Sequence, residues 1–286
     1  MITTVSSIME KDLITIESMD SVDNARQVMA QNRIGCLPVM ENGCLVGIIT
    51  TWDIMCSHPN RLVADAMTAP PIYVGPMASL WEAKEKMDKH CIERLLVVEN
   101  EQLIGLVTKT RLYFEIAKRF DMLTQLNKKD YIIHEGVKLL KSGKEVSIIF
   151  IDIDCFGSID KEYGHILGDL ILKEISDLLK AKVPADCFLC RYGGDEFVVL
   201  TPYKKERCME LARELLAAIS QYEYSVKVNI TASAGISGGR REKSRISVDY
   251  VDDMENLINL ASLASTSAKR NKVPLLIADG FISSKM

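Results

Sequence analysis

The chain repeats itself without a gap. The stretch IGCLPVMENGCLVGIITTWDI (residues 34–54) lies over IERLLVVENEQLIGLVTKTRL (residues 92–112). Met9 matches Met67, Met19 matches Met77, Ala25 matches Ala83 and Gly47 matches Gly105, all at one offset of 58 positions. Such a repeat means two copies of one structural unit. Each copy reads β-α-β-β-α. A short extended segment (13–16, 72–74) leads into a helix with Ser21 or Ser79 as N-cap. Val22, Ala25, Val28 and Met29 then recur at helical spacing. Two strands (36–40, 45–50) flank an E-N-G turn, a hairpin signal, and a second helix closes the unit. A unit this small buries little surface alone, so pairing two is physically sensible.

Over roughly residues 1–117, with repeats at about 1–58 and 59–117, this pattern resembles the tandem cystathionine-β-synthase-type (CBS) pair, the Bateman module. The signature of that family is G-h-h-T-x-x-D at the end of the third strand. The first copy reads GIITTWD, with Gly47, Thr50 and Asp53. A hydroxyl and a carboxylate at a helix mouth can bond ribose hydroxyls and leave nearby N–H groups for phosphate. The resemblance implies an adenine-nucleotide site using Thr50 and Asp53, with AMP, ADP, ATP and S-adenosyl compounds all as candidate ligands. The second copy reads GLVTKTR, so Thr108 remains but Arg111 replaces the aspartate. Arginine cannot accept a hydrogen bond from ribose, though it can meet a phosphate. One good site at most is expected. The residues alone also fit a structural role, with Thr50 capping the helix and Asp53 favouring its first turn, in a module that serves mainly for dimerisation.

From Lys109 to Asn127 there is no Gly or Pro, and Leu112, Ile116, Phe120 and Leu123 recur at helical spacing. This predicts a short, stiff helical connector at the start of a second domain, residues 118–286. That domain alternates strand and helix patterns. Residues 145–152 read as a buried strand, 168–179 as an amphipathic helix, and 187–191 and 197–200 as strands across a turn at Gly193-Gly194. Residues 206–219 read as a helix, 226–236 as a strand and 254–269 as a final helix. The fold class is α+β or α/β, with a central sheet flanked by helices.

Two acid-bearing spots stand out. IDIDCF carries Asp152 and Asp154 at the end of a buried strand, and RYGGDEF carries Asp195 and Glu196 on a glycine turn. Acids at the exposed ends of neighbouring strands can converge. Hard oxygen ligands of that kind suit Mg²⁺, which bridges carboxylates and substrate phosphates. Two such ions can hold the attacking and leaving oxygens of a phosphoryl transfer. Glycines on the turn let a nucleotide approach the backbone.

RYGGDEF, IDID-x-F, GHILGD (residues 164–169) and FDMLTQLN (residues 120–127) together resemble the diguanylate cyclase domain of the GGDEF family, over essentially the whole second half. The resemblance implies a palm-like fold shared with nucleotide cyclases and polymerases. It also implies condensation of two GTP into cyclic di-GMP with release of pyrophosphate, with Mg²⁺ or Mn²⁺ as cofactor. Each active site holds one GTP, which implies a homodimer. By the same resemblance Asp152, the carbonyl of Ile153, Asp195 and Glu196 hold metal. Glu196 matches the acid that helps the attacking 3′-hydroxyl or holds the second metal. The backbone around Phe156 and Gly157 cradles the terminal phosphates. Asp169 accepts from the guanine N1–H and N2–H₂ edge, and Lys269 contacts the γ-phosphate.

The chain also departs from the family pattern. After IDID the family reads F-K-x-x-N-D, and this chain reads FGSIDK. Gly157 replaces the lysine, and Asp160 stands where asparagine helps bind guanine. A carboxylate only accepts hydrogen bonds, whereas an amide also donates, so GTP affinity is expected to fall while guanine preference need not. Lys161 replaces the following aspartate. Gln125 replaces the usual glycine of LTGL. The C-terminal A-K-x-x-G-R-N is shortened to AKRN, so Arg270 follows Lys269 directly and about one helical turn is missing. The product-inhibition motif R-x-x-D is replaced by PADC from Pro184.

Composition narrows the class. A formal net charge of −4 over 286 residues argues against a general nucleic-acid binder. The one dense basic cluster, RREKSR (residues 240–245), reads as a solvated loop. No stretch is long and apolar enough for a membrane span, and the start does not read as a signal peptide. A cytoplasmic location without membrane partners is expected, and the eight cysteines then read as reduced thiols. Cys187 and Cys190 have C-x-x-C spacing but no second pair, so they read as strand and core cysteines. The leading expectation is a diguanylate cyclase regulated by an adenine nucleotide at the CBS module. The alternative is a weak or inactive GGDEF domain acting as a nucleotide-binding sensor.

Overall fold

The computed structural model describes residues 3–238 and 249–278, so the basic cluster at 240–245 lies outside the described residues. The chain divides into two units, Met1–Ala117 and Lys118–Met286.

In the first unit, one copy of the repeat comprises β1 (Ile16–Glu17), α1 (Val22–Asn32), β2 (Cys36–Glu41), β3 (Cys44–Thr50) and α2 (Thr51–Met55). After the short α3 (Val63–Ala66), the other comprises β4 (Tyr73–Val74), α4 (Leu80–His90), β5 (Arg94–Glu99), β6 (Gln102–Thr108) and α5 (Lys109–Ala117). The Ser21 hydroxyl accepts from Asn24 N–H, and the Ser79 hydroxyl from Glu82 N–H. Each copy forms a three-stranded sheet, β1-β2-β3 or β4-β5-β6. The β2–β3 hairpin turns through Asn42 and Gly43, at φ 50° and 80°, the left-handed pair a two-residue hairpin turn requires.

The copies interlock. Glu10 and Leu106 exchange backbone hydrogen bonds, and so do Ile48 and Thr68. The Met67 side chain lies on Gly47 and the Met9 side chain on Gly105, where a Cβ would strike the thioether. The matched methionines and glycines of the repeat are therefore in contact. The leading segment of the first copy seals the second copy, so the pair is the unit that folds.

At the start of the second unit the helical period of the sequence is not realised as helix. Helix α5 stops at Ala117, and the expected helical connector gives way to a hairpin, β7 (Phe120–Asp121) and β8 (Leu126–Asn127). The Asp121 carboxylate accepts from the Thr124 N–H at 2.9 Å and the Thr124 hydroxyl at 2.7 Å. Such a local turn competes with helix. Next come α6 (Lys129–Lys141), β9 (Ser147–Ile153), α7 (Phe156–Tyr163), α8 (His165–Lys182), β10 (Phe188–Gly193) and β11 (Glu196–Thr201). The unit ends with α9 (Lys205–Gln221), β12 (Ala232–Gly238), α10 (Tyr250–Asn271) and β13 (Leu275–Ile277).

These strands form one sheet in the order β13-β12-β9-β11-β10-β8-β7. β9 runs antiparallel to both β11 and β12. Its apolar run is buried on both faces, as helices on either side require. Ile149, Ile151 and Ile153 join the core with Ile171, Ile175 and Leu215 of α8 and α9. Ile148 and Phe150, on the opposite face by strand alternation, are also fully covered. Helix α10 packs on β12 and β9. β12 starts at Ala232 rather than at 226, because its pairing with β9 ends at Ala232 opposite Ile153. Gly235 lets α10 approach: a Cβ there would collide with the Ala261 carbonyl and the Ser265 N–H. The Ser265 hydroxyl donates to the Ser233 carbonyl at 3.2 Å, and the Ser237 hydroxyl to the Leu257 carbonyl at 2.6 Å. This close seat fixes where the last turn of α10 arrives.

Candidate functional site

The GGDEF turn closes the β10–β11 hairpin, with Gly193 paired to Glu196. Glu196 stands opposite Asp152 in the β11–β9 register, and the Ile153 N–H donates to the Asp195 carbonyl at 3.3 Å. Pairing of two strands thus brings Asp152, Ile153, Asp195 and Glu196 together. Burial raises the proton affinity of Asp195, and the charge of Asp152 adds to the effect. Glu196 is raised by burial, then by the charges of Asp152 and Asp195. Carboxylates crowded into a half-buried site repel one another, and a cation relieves that repulsion.

A cation is already present in the form of Lys269. Its ammonium donates to Asp152 Oδ1 at 2.6 Å and to the Ile153 carbonyl at 2.9 Å. Burial would lower its pKa, but the hydrogen bond and charge of Asp152, with Asp195 and Asp154 behind, raise it on balance. The donor set is all hard oxygen and carries a stand-in cation, so these residues fit a divalent metal ion. Asp154 is otherwise engaged: the Thr231 and Ser233 hydroxyls donate to its two oxygens at 2.7 and 2.8 Å. Arg270 is exposed and has no partner among the described residues.

Phe156 and Gly157 open α7, which has no side-chain cap at its start. Its first N–H groups are therefore free to meet anionic oxygens. A Cβ on Gly157 would meet nothing within 4 Å, so there is room for the missing lysine. The side chain of Asp160 faces the first turn of α8. Its Oδ2 lies 3.1 Å from His165 Nδ1, while its Oδ1 is buried without a hydrogen-bond partner, close to Gly168. Asp169, next in sequence, is exposed and lines an open pocket of about 540 Å³ with Leu123, Leu167 and Leu170.

One contact was not legible as a functional one. Arg191, at the head of the turn motif, donates through Nη1 to Asp121 Oδ1 at 2.9 Å and through Nε to the Gly194 carbonyl at 2.9 Å. It ties the FDMLT segment to the glycine turn. The sequence signal for it is an arginine in RYGGDEF and an aspartate in FDMLTQLN. Gln125, where the family has glycine, sits at φ 53°, the left-handed region that favours glycine. Cys187 and Cys190 are buried. Burial pushes Cys187 up to about 11 and Cys190 further, which disfavours thiolate ligands.

In the first unit, Thr50 and Asp53 engage each other. The Thr50 N–H and hydroxyl donate to Asp53 Oδ2 at 2.8 and 2.7 Å, and the Asp53 N–H donates to the Thr50 hydroxyl at 3.4 Å. This is a capping box. In the second copy the Arg111 N–H donates to the Thr108 hydroxyl at 3.3 Å. Thr108 and Arg111 line an open pocket of about 440 Å³ with Glu10 and Phe114.

Comparison with known proteins follows the same division. A family model described as diguanylate cyclase, GGDEF domain, matches residues 118–272, and the CBS domain model matches residues 5–57 and 63–118. Inosine-5'-monophosphate dehydrogenase of Korarchaeum cryptofilum is 40% identical over 112 residues, covering 38% of this chain and 24% of its own. Diguanylate cyclase VdcA of Vibrio cholerae is 31% identical over 159 residues, covering 54% of this chain and 46% of its own. The solved coiled coil and GGDEF domain of DgcB from Caulobacter crescentus, in complex with c-di-GMP, is similar in fold, with a TM-score of 0.50 and 19% identity, covering 59% of this chain and 92% of that one. The chain spans less than half the length of the curated relatives it matches.

Proposed function

The chain belongs to the GGDEF diguanylate cyclase family and carries a pair of CBS domains ahead of that domain, and from this premise we propose that it condenses two GTP into cyclic di-GMP and pyrophosphate. The observation that carries the reading is the convergence of Asp152, the Ile153 carbonyl, Asp195 and Glu196 beneath a lysine ammonium. Those four groups would hold Mg²⁺ or Mn²⁺. When bound, the ion neutralises triphosphate charge and polarises phosphoryl oxygens.

The remaining work falls to the chain itself. The first N–H groups of α7, at Phe156 and Gly157, receive the terminal phosphates. Asp169 accepts from guanine N1–H and N2–H₂, and Asp160 stands where the family's asparagine meets the same base. The 3′-hydroxyl of one GTP attacks the α-phosphorus of the other. The bond to the β-phosphate breaks, pyrophosphate leaves, and the hydroxyl proton passes to Glu196. The same step with roles exchanged closes the ring. Two copies must therefore face each other as a homodimer.

The CBS pair is the regulatory half of this reading. An adenine nucleotide binds it and shifts the dimer between productive and unproductive arrangements. The Thr50–Asp53 capping box must open for both groups to meet a ribose, whereas Thr108 and Arg111 already line open space. Arg111 suits the phosphate end of such a ligand. A second reading, a GTP-binding sensor with little turnover, is favoured by Gly157, Asp160 and the exposed Arg270.

The test is product chromatography after incubation with GTP and Mg²⁺, with and without AMP or ATP. Cyclic di-GMP that is lost in Asp195→Ala supports the cyclase, and a rate changed by adenine nucleotide supports the regulator. GTP binding without product under any condition favours the sensor.

A further inference from the structure

Lys269 stands where a metal ion is needed. Its ammonium bonds Asp152 Oδ1 and the Ile153 carbonyl, two of the four oxygens assigned above to the divalent ion. A divalent ion such as Mg²⁺ binds its oxygens at about 2.0–2.1 Å. An ammonium within hydrogen-bond reach of the same two oxygens would sit directly against it. Two cations that close repel strongly in a half-buried site. One must leave.

The backbone beneath Lys269 is not free to move. Helix α10 is seated on β12 at Gly235 and held by the Ser265 and Ser237 hydroxyls. The lysine stem, by contrast, is a flexible four-carbon chain, and the side chain is about one-third exposed. Exchange therefore requires rotation of a side chain and no shift of the helix. Among the described residues, no other lysine or arginine bonds to Asp152, Asp195 or Glu196. When the ammonium leaves Asp152 it needs another anion, and a nucleotide triphosphate brings one with the metal.

We propose that Lys269 is an exchangeable occupant of the divalent-ion position, holding Asp152 and the Ile153 carbonyl in the nucleotide-free protein and moving to the triphosphate when metal enters. Metal alone is then a poor ligand, and metal with nucleotide is a good one. The inference rests on the reading that Asp152 and Ile153 hold the ion. Lys269 acts here by clearing and guarding the site.

The test uses Mn²⁺ alone, titrated into the intact chain without nucleotide and followed by the paramagnetic signal of the free ion. Lys269→Met is expected to bind Mn²⁺ about tenfold tighter or more than the unmodified chain. Metal-free, it should melt lower than the unmodified chain, and Mn²⁺ should restore it. Lys269→Gln serves as a second neutral variant should the first fail to fold. Addition of GTP should tighten Mn²⁺ binding in the unmodified chain and tighten it much less in the neutral variants.

Neutral variants that fold but bind Mn²⁺ alone no tighter than the unmodified chain overturn the exchange. So does an unmodified chain whose Mn²⁺ affinity is the same with and without GTP, a result that needs no variant. The underlying site assignment fails in a different way. If Asp152→Asn binds Mn²⁺ with GTP as well as the unmodified chain does, the ion sits elsewhere and the exchange falls with it.

Discussion

The brace formed by Arg191 gives the sharpest single prediction. Arg191→Met keeps most of the side-chain bulk and removes both charge-assisted hydrogen bonds, to Asp121 Oδ1 and to the Gly194 carbonyl. The pair is well covered, with side-chain exposures of 14% and 18%. Stranding one member of a buried ion pair costs about 3–5 kcal/mol. Asp121 keeps its two bonds from Thr124, so the stranded carboxylate remains partly satisfied and the cost should fall to about 2–3 kcal/mol. For a unit of this size that is about 5–10 °C in melting temperature. Calorimetry should show the shift in one of two transitions, because the chain has two units and need not melt as one.

The same contact sets a pH dependence. Burial alone would raise the Asp121 pKa, but the Thr124 bonds and Arg191 outweigh it and hold the group below the usual carboxylate range. A depressed folded pKa contributes stability that is present above the ordinary value of about 3.9 and is lost as pH falls through the folded value. Arg191→Met should therefore lose most stability near neutral pH and lose less on further acidification than the unmodified chain. A variant that melts within a degree of the unmodified chain at pH 7, with the same acid limb, would refute the reasoning.

Three further outcomes are expected. Gln125→Gly should stabilise the second unit by about 0.5–1 kcal/mol in thermal melts, because the residue sits at φ 53° where only glycine is unstrained. Asp160→Asn should tighten GTP binding about tenfold by calorimetric titration, since the amide adds a donor worth about one hydrogen bond. Gly235→Val should destabilise by about 3 kcal/mol or more, as its side chain would drive α10 off β12 at Ala261 and Ser265.

Much of this was legible because local signals agreed with tertiary demands. Ser21 and Ser79 announce helix starts and act as N-caps. Asn42-Gly43 announces a hairpin turn and forms one. IDID and GGDEF read as strand ends bearing acids, and the β9–β11 register sets Asp152 opposite Glu196. The failures have physical causes. Residues 112–123 keep a helical period, yet the side chain of Asp121 captures Thr124 and breaks the helix before its last turns. Residues 226–231 alternate as a strand does, but their neighbour β9 pairs no further than Ala232. The Arg191 brace and the Lys269 contact join residues 70 and 117 positions apart, and no local pattern encodes a meeting at that separation. Thr50 and Asp53 fit both a ligand site and a helix cap in the sequence, and their mutual hydrogen bonds form the cap.

The measurement closest to the central claim is the stoichiometry of turnover by the unmodified chain. With GTP and Mg²⁺ the account predicts one cyclic di-GMP and two pyrophosphates for every two GTP consumed, at a rate that falls more steeply than protein concentration as the dimer dissociates. GTP bound and recovered intact over the same interval, at concentrations where the chain is dimeric, would contradict it.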